Sequence, residues 1–315
     1  MSLVQADGVS VRFGGRGLFR RGPGVQALDG VSLRLARGEA LGLVGESGSG
    51  KSTLGRALLG LIPADAGRVT FDGVDLAQAQ GRGLRPRMQL VFQDPHASLD
   101  PRRRIGAQIA DGLAINRLMP AAERPARVAA LLVQVGLSAD HATRFPHEFS
   151  GGQRQRIAIA RALATSPDFL VADEPVSALD VSVQAQVLRL LDDLRHRLGL
   201  ALLFISHDIA VVRSLCARVV VLYLGRVMEQ GPAAAILDAP RHPYTRALLS
   251  AVPRLDAADR RTRLVLDGEP PNPADPPSGC VFRTRCPMAI DACAAARPPL
   301  VTVGPGHDVA CIRID

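Results

Sequence analysis

Gly45-Glu-Ser-Gly-Ser-Gly-Lys-Ser52 follows a short apolar run, Ala40 to Val44, and precedes a run compatible with helix, Thr53 to Leu61. The octet fits the pattern G-x-x-x-x-G-K-[ST], which needs a tight loop between a strand and a helix. Gly45, Gly48 and Gly50 let backbone N–H groups turn inward around an anion, and the starting helix adds the positive end of its dipole. Lys51 would then reach the β- and γ-phosphates of ATP, and the Ser52 hydroxyl would bind Mg²⁺. Together with Glu46, Ser47, Ser49 and Thr53 they form the candidate nucleotide-binding loop. A glycine-rich turn with a chance lysine is the plainer reading, and composition weighs against it. The chain has 38 basic residues, and Lys51 is its only lysine. A protein that uses arginine everywhere else keeps the compact ammonium group here.

Phe169-Leu-Val-Ala-Asp-Glu174 supplies a complementary pattern, an apolar strand ending in two carboxylates. A strand buried on both faces expels charge, which places Asp173 and Glu174 at its exit. Asp173 would hold Mg²⁺ and Glu174 would activate an attacking water. Taken alone, the segment could equally be a strand followed by an acidic turn.

The chain has 315 residues, 47% of them hydrophobic, enough for one large core and a smaller unit. The formal charge of +8 comes from arginines scattered over the whole chain, so a nucleic-acid partner is not expected. No long apolar run suited to a bilayer occurs, and Met1 to Val11 lacks the layout of a signal peptide. A cytosolic location is expected, with any membrane role supplied by a partner subunit.

Val9 to Phe13, Val31 to Leu35, Ala40 to Val44 and Arg68 to Phe71 read as strands of a small β-layer. Gln89 to Phe92, Phe169 to Ala172 and Ala201 to Ile205 read as strands buried on both faces of a parallel sheet. Arg127 to Val135, Gln153 to Ala164 and Val183 to Leu198 carry helical spacing, which gives an α/β alternation. Five prolines in the ten residues Glu269 to Ser278 break the pattern. The expected domains are therefore 1–252, a linker over 253–279, and a cysteine-bearing extension over 280–315.

Phe149-Ser-Gly-Gly-Gln-Arg-Gln-Arg156 opens the helix before the acidic strand and resembles the signature sequence of ABC transporter ATPases. Phe149 stands where that family usually has leucine, while Ser150, Gly151, Gly152 and Gln153 are intact. Other matches follow in the family's order. Gln93 resembles the Q-loop glutamine, a contact to Mg²⁺ and water. Ser177-Ala-Leu-Asp180 resembles the D-loop, and His207 the switch histidine that contacts the γ-phosphate. The resemblance implies a P-loop NTPase of ABC type: a parallel-sheet core with an antiparallel β-subdomain and a helical subdomain, plus a small C-terminal extension. It also implies that the signature acts on ATP held by a second ATPase subunit. Phe13 is the preferred adenine-stacking aromatic, ahead of Phe19.

His242-Pro-Tyr-Thr-Arg-Ala-Leu-Leu-Ser250, Pro276 to Cys280, Arg285-Cys-Pro287 and Gly306 to Cys311 are similar to the tail of oligopeptide, dipeptide and nickel importer ATPases. So is the stretch Phe92 to Pro101. That resemblance implies two transmembrane permease subunits as partners, a substrate-binding protein outside the cytoplasm, and a peripheral place on the cytoplasmic face of the cell membrane. Cys280, Cys286, Cys293 and Cys311 are separated by five, six and seventeen residues. Four thiolates could hold a [4Fe–4S] cluster, as in some relatives; unliganded thiols are the equal alternative, and zinc stands behind both because the paired C-x₂-C spacing is missing. A competing function is a soluble ABC ATPase in a non-transport enzyme complex. DNA-maintenance members carry long insertions, and here only 56 residues separate Gln93 from Ser150.

Overall fold

Period-two burial organises the first two strands of the chain. The computed structural model describes residues 2–14, 24–79, 83–94, 98–250 and 268–314. Phe19, His96 and the first part of the linker expected over 253–279 lie outside the described residues. In chain order the principal elements are β1 Ser2–Phe13, β2 Val25–Ala36, β3 Ala40–Val44, α1 Lys51–Leu58, β4 Ala66–Phe71, β5 Val74–Asp75 and β6 Met88–Val91. Then come α2 Ile105–Ile115, α3 Arg124–Gln134, α4 Gly151–Leu163, β7 Phe169–Asp173, α5 Val181–Leu198, β8 Ala201–Ile205, α6 Ile209–Leu215, β9 Arg218–Tyr223 and β10 Arg226–Pro232. The last are α7 Ala233–Asp238, α8 Pro243–Ser250, α9 Ala292–Ala295, β11 Val301–Gly304 and β12 His307–Val309.

The described residues divide into two compact units. One comprises Ser2–Leu35, Ala40–Gln78 and the chain from Ser206 onward. In it an antiparallel sheet runs in the order β2-β1-β4-β5. On β2, Val31, Leu33 and Leu35 are buried while Ser32, Arg34 and Ala36 face outward, the alternation of a sheet with one wet face. A second set of strands runs β11-β12-β10-β9-β3. β3 is buried at every residue and pairs in parallel with β9, Leu41 opposite Arg218. β10 then turns back on β9, and β12 pairs antiparallel with β10, Glu229 opposite Val309.

The tail is therefore built into this unit. Its attachment is polar as well as apolar. Glu229, fully buried, accepts from the backbone N–H groups of Arg241 and His242 and lies 2.7 Å from the His307 ring. Phe282 is buried between Tyr223 and Tyr244, with ring centroids 5.4 and 5.2 Å away. A core-poor segment gains its stability by packing on a neighbour.

The other unit comprises Ala36–Glu39 and Ala79–Ile205. β6, β7 and β8 pair in parallel, with Met88 opposite Phe169 and Phe169 opposite Ala201. β7 and β8 are buried at every residue, as their continuous apolar runs predict. The run Gln89 to Phe92 departs from expectation. Gln89 and Leu90 are only half-buried, and Phe92 falls outside the strand and is exposed, because β6 has a partner on one side only among the strands of this unit. Helix α2 was not legible as a periodic segment; Ile105, Gln108, Ile109 and Leu113 are its buried face.

Candidate functional site

The loop Gly45 to Ser52 joins β3 to α1, and two of its glycines are sterically required. A Cβ on Gly50, whose φ is 101°, would stand 2.4 Å from the Ala27 carbonyl oxygen. One on Gly45 would stand 2.2 Å from that of Leu222. Lys51 opens α1 and is buried, with Nζ donating to the carbonyls of Gly45 at 2.8 Å and Glu46 at 2.9 Å. The ammonium is thus folded over its own loop at the start of a helix, the end of the helix dipole that favours an anion. Ser47 and Gly48 are exposed, Ser52 and Thr53 half-buried, and the buried Ser49 hydroxyl has no hydrogen-bond partner. The Gly225 N–H donates to the Ser49 carbonyl at 2.8 Å and pins the loop from β9–β10.

Two further contacts on this loop come from far along the chain. The Glu46 N–H donates to the Tyr244 hydroxyl at 2.9 Å, and the Glu46 carboxylate takes a bidentate pair from Arg285 at 2.7 and 3.2 Å. Neither contact is legible in the sequence, because no spacing links positions 198 and 239 residues apart. Burial opposes the Arg285 charge, but its hydrogen bonds to Glu46 and Tyr223 outweigh that and leave its pKa raised. Burial also pushes the Tyr244 hydroxyl well above its ordinary range.

In the other unit Asp173 ends β7 and is buried, while Glu174 is half-buried one residue on. Glu174 has a φ of 47°, a left-handed backbone that costs a non-glycine residue about 1–3 kcal/mol. Its N–H donates to the Ile205 carbonyl at 3.0 Å, holding that turn. Gln93 is exposed just beyond β6 and donates from Nε2 to the Glu174 carboxylate at 3.1 Å. Two residues 81 apart in sequence thus meet.

Ser150 caps α4. Its hydroxyl accepts the Gln153 N–H at 3.3 Å, and the Gln153 side chain accepts the Ser150 N–H at 3.0 Å, a capping box. The helix accordingly begins at Gly151, two residues before the expected Gln153. Gly152 has a packing reason as well: a Cβ there would lie 2.3 Å from Val183 of α5. Asp180 is the exposed residue before α5.

His207 is exposed two residues past β8, and Phe13 is 45% exposed at the end of β1, so neither is a core side chain. Cys216, by contrast, is buried. Cys280, Cys286, Cys293 and Cys311 line one small cavity with His242 and Phe282, with room for about one water molecule (≈ 10 Å³). Burial raises the thiols of Cys280, Cys286 and Cys311, and neighbouring thiols raise them further. Among the described residues no three His, Cys, Asp or Glu side chains come as close as a single metal ion needs. Four thiols are the donor chemistry of an iron–sulfur group. No helix among the described residues is long and apolar enough to cross a membrane.

A glycine loop with a lysine folded over it between a buried parallel strand and a helix, and a carboxylate pair at the end of another buried parallel strand, are features of an α/β P-loop NTPase. Residues 28–177 match the family model of the ABC transporter, and residues 228–293 that of the oligopeptide/dipeptide transporter C-terminal region. The chain belongs to the ABC transporter family, and it is an ATP-hydrolysing member that uses ATP and Mg²⁺. It is 57% identical, over 99% of both chains, to a Brucella ovis protein provisionally named a peptide import ATP-binding protein. A Brucella abortus protein of the same provisional name is 52% identical over 91% of this chain and 86% of that one. Among solved structures, the dimeric post-hydrolysis state of the ATP-binding cassette MJ0796 with ADP and Pi superposes with a TM-score of 0.64 at 29% identity, over 73% of this chain and 98% of that one. CbiO1 of Clostridium perfringens, part of the ABC transporter complex cbiONQ, gives 0.65 at 29% identity, over 76% and 91%.

Proposed function

We propose that this chain is the motor subunit of a peptide importer, hydrolysing ATP to drive oligo- or dipeptides through partner permeases at the cytoplasmic face of the cell membrane. The observation that carries the reading is the union, in one chain, of the nucleotide loop with a tail of the oligopeptide/dipeptide transporter kind. In this reading Lys51 and the loop amides hold the β- and γ-phosphates. Ser52, Asp173 and Gln93 are hard oxygen donors suited to Mg²⁺, which neutralises phosphate charge when bound. Glu174 takes the proton of the attacking water, and Gln93, hydrogen-bonded to it, orients it. His207 contacts the γ-phosphate and Phe13 stacks on adenine.

Ser150, Gly151, Gly152 and Gln153 offer a second capped helix start to ATP on a partner ATPase subunit, with Asp180 near that interface. The proposed assembly has two permeases, two ATPase subunits of identical or related sequence, and an extracytoplasmic binding protein that delivers substrate. ATP binding closes the ATPase pair and hydrolysis reopens it. A deletion strain should lose uptake of labelled peptides and regain it with the wild-type gene but not with Glu174→Gln. Purification with hydrophobic permeases supports the reading; a soluble complex without them overturns it.

We further infer that the four tail cysteines carry a [4Fe–4S] cluster, a reading supported by their lining one cavity, which must widen from its one-water size to hold the cluster. Anaerobically purified protein should contain iron and acid-labile sulfide, lost together on substitution of Cys286 by Ser. Protein lacking both would leave the thiols as packing groups.

A further inference from the structure

Glu46 is the only acidic residue between Gly45 and Thr53, and an ionised carboxylate there opposes a polyanion bound to the same loop. The structure answers that charge from the tail. Arg285 is 7% exposed at its side chain, and both its terminal nitrogens lie on the Glu46 carboxylate, while its Nε has no partner. Its fork is therefore committed to Glu46, with the Tyr223 hydroxyl 3.4 Å away as a weaker contact. The guanidinium is held by a turn in which the N–H groups of Arg283 and Arg285 donate to the carbonyls of Cys280 and Phe282. Phe282 in turn is buried against Tyr223 and Tyr244. Glu46 is thus gripped at its side chain by Arg285, at its N–H by Tyr244 and at its carbonyl by Lys51.

We propose that Arg285 is a positioning residue of the nucleotide site: it cancels the charge of Glu46 and, with Tyr244, holds the second residue of the phosphate loop, so that the C-terminal tail sets the affinity for the triphosphate. The proposal rests on the reading of Gly45 to Ser52 as the nucleotide loop. Its content is electrostatic, and that gives opposite signs for the two partners. Removing Arg285 exposes a carboxylate to the phosphates and weakens binding. Removing the Glu46 charge leaves the guanidinium facing them and tightens it.

The test is calorimetric binding of a non-hydrolysable ATP analogue with Mg²⁺ to the full chain. Arg285→Gln should weaken binding about five- to tenfold, the size expected of one screened charge beside a triphosphate. Glu46→Gln should tighten it several-fold, and Arg285→Gln combined with Glu46→Gln should return close to wild type. The Arg285→Gln deficit should shrink as salt is raised, and Arg285→Lys, which keeps the charge, should retain most of the affinity. If both single variants weaken binding and the double variant stays weak, the clamp is structural only and the proposal fails. Thermal melting of every variant separates loss of fold from loss of affinity, and Arg285→Lys tests the idea even if Arg285→Gln unfolds. Lys51→Ala serves as the control for the loop itself. Loss of binding there with no change in Arg285→Gln sinks this proposal alone, whereas unchanged binding in Lys51→Ala sinks the loop reading beneath it.

Discussion

Glu174 sits in a left-handed backbone conformation at the end of a fully buried strand, with its N–H tied to Ile205 and its carboxylate to Gln93. Strain of this kind persists only where the surroundings overdetermine it, and it is characteristic of catalytic positions. Glu174→Gln keeps the shape and the hydrogen bond to Gln93 while removing the proposed proton acceptor. Hydrolysis should fall by about 10²–10⁴-fold, with ATP affinity retained. Wild-type turnover in that variant would reassign the base. Lys51→Ala removes the only ammonium side chain of the protein from a loop whose carbonyls it crosses, and calorimetry should show nucleotide affinity lost.

At the scale of elements, helix α4 shows two demands met by adjacent residues. Ser150 and Gln153 satisfy the first free N–H groups of α4, and Gly152 lets α4 approach α5. A methyl at Gly152 would meet the stiff Val183 side chain at 2.3 Å, so the helices must separate or distort. Gly152→Ala should cost about 1–3 kcal/mol in urea unfolding. An unchanged midpoint would show that the close approach is dispensable. The spacing of serine, glycines and glutamine is legible in the sequence as a helix start; the closeness of α5 to Gly152 is not, since it depends on which face of α4 meets its neighbour.

At the scale of the whole chain, the ATP-driven pairing of subunits and the acid stability of the tail are the measurable consequences. With turnover blocked, Glu174→Gln should run as a dimer in ATP and Mg²⁺ during size exclusion and as a monomer without nucleotide; indifference to ATP would overturn the paired-motor reading. His242 is 1% exposed, and burial, aided by the Arg246 charge and opposed by the Ala310 carbonyl, lowers its pKa from 6.5 to about 3. Its surroundings also include the Glu229 carboxylate, which accepts the His242 backbone N–H, and His307, whose ring lies 2.7 Å from that carboxylate. Above pH 6.5 the ring is neutral folded or unfolded, and its full contribution is present. Between 6.5 and 3 only the unfolded chain takes up the proton, so stability falls by up to about 1.4 kcal/mol per pH unit from this site and then levels off. Urea unfolding across that range should show a shallower slope for His242→Gln; an identical slope would assign the acid sensitivity elsewhere.

The class of this protein was written in local sequence, because the chemistry of a phosphate loop, an acidic strand exit and a capped helix each lies within a few consecutive residues. Tertiary structure alone decided that Gln93 meets Glu174, that β12 pairs with β10, and that Arg285 and Tyr244 hold Glu46. Periodicity and spacing report a residue's immediate neighbours, whereas contacts across tens to hundreds of residues depend on strand order and on which faces pack, and no short stretch of sequence encodes those.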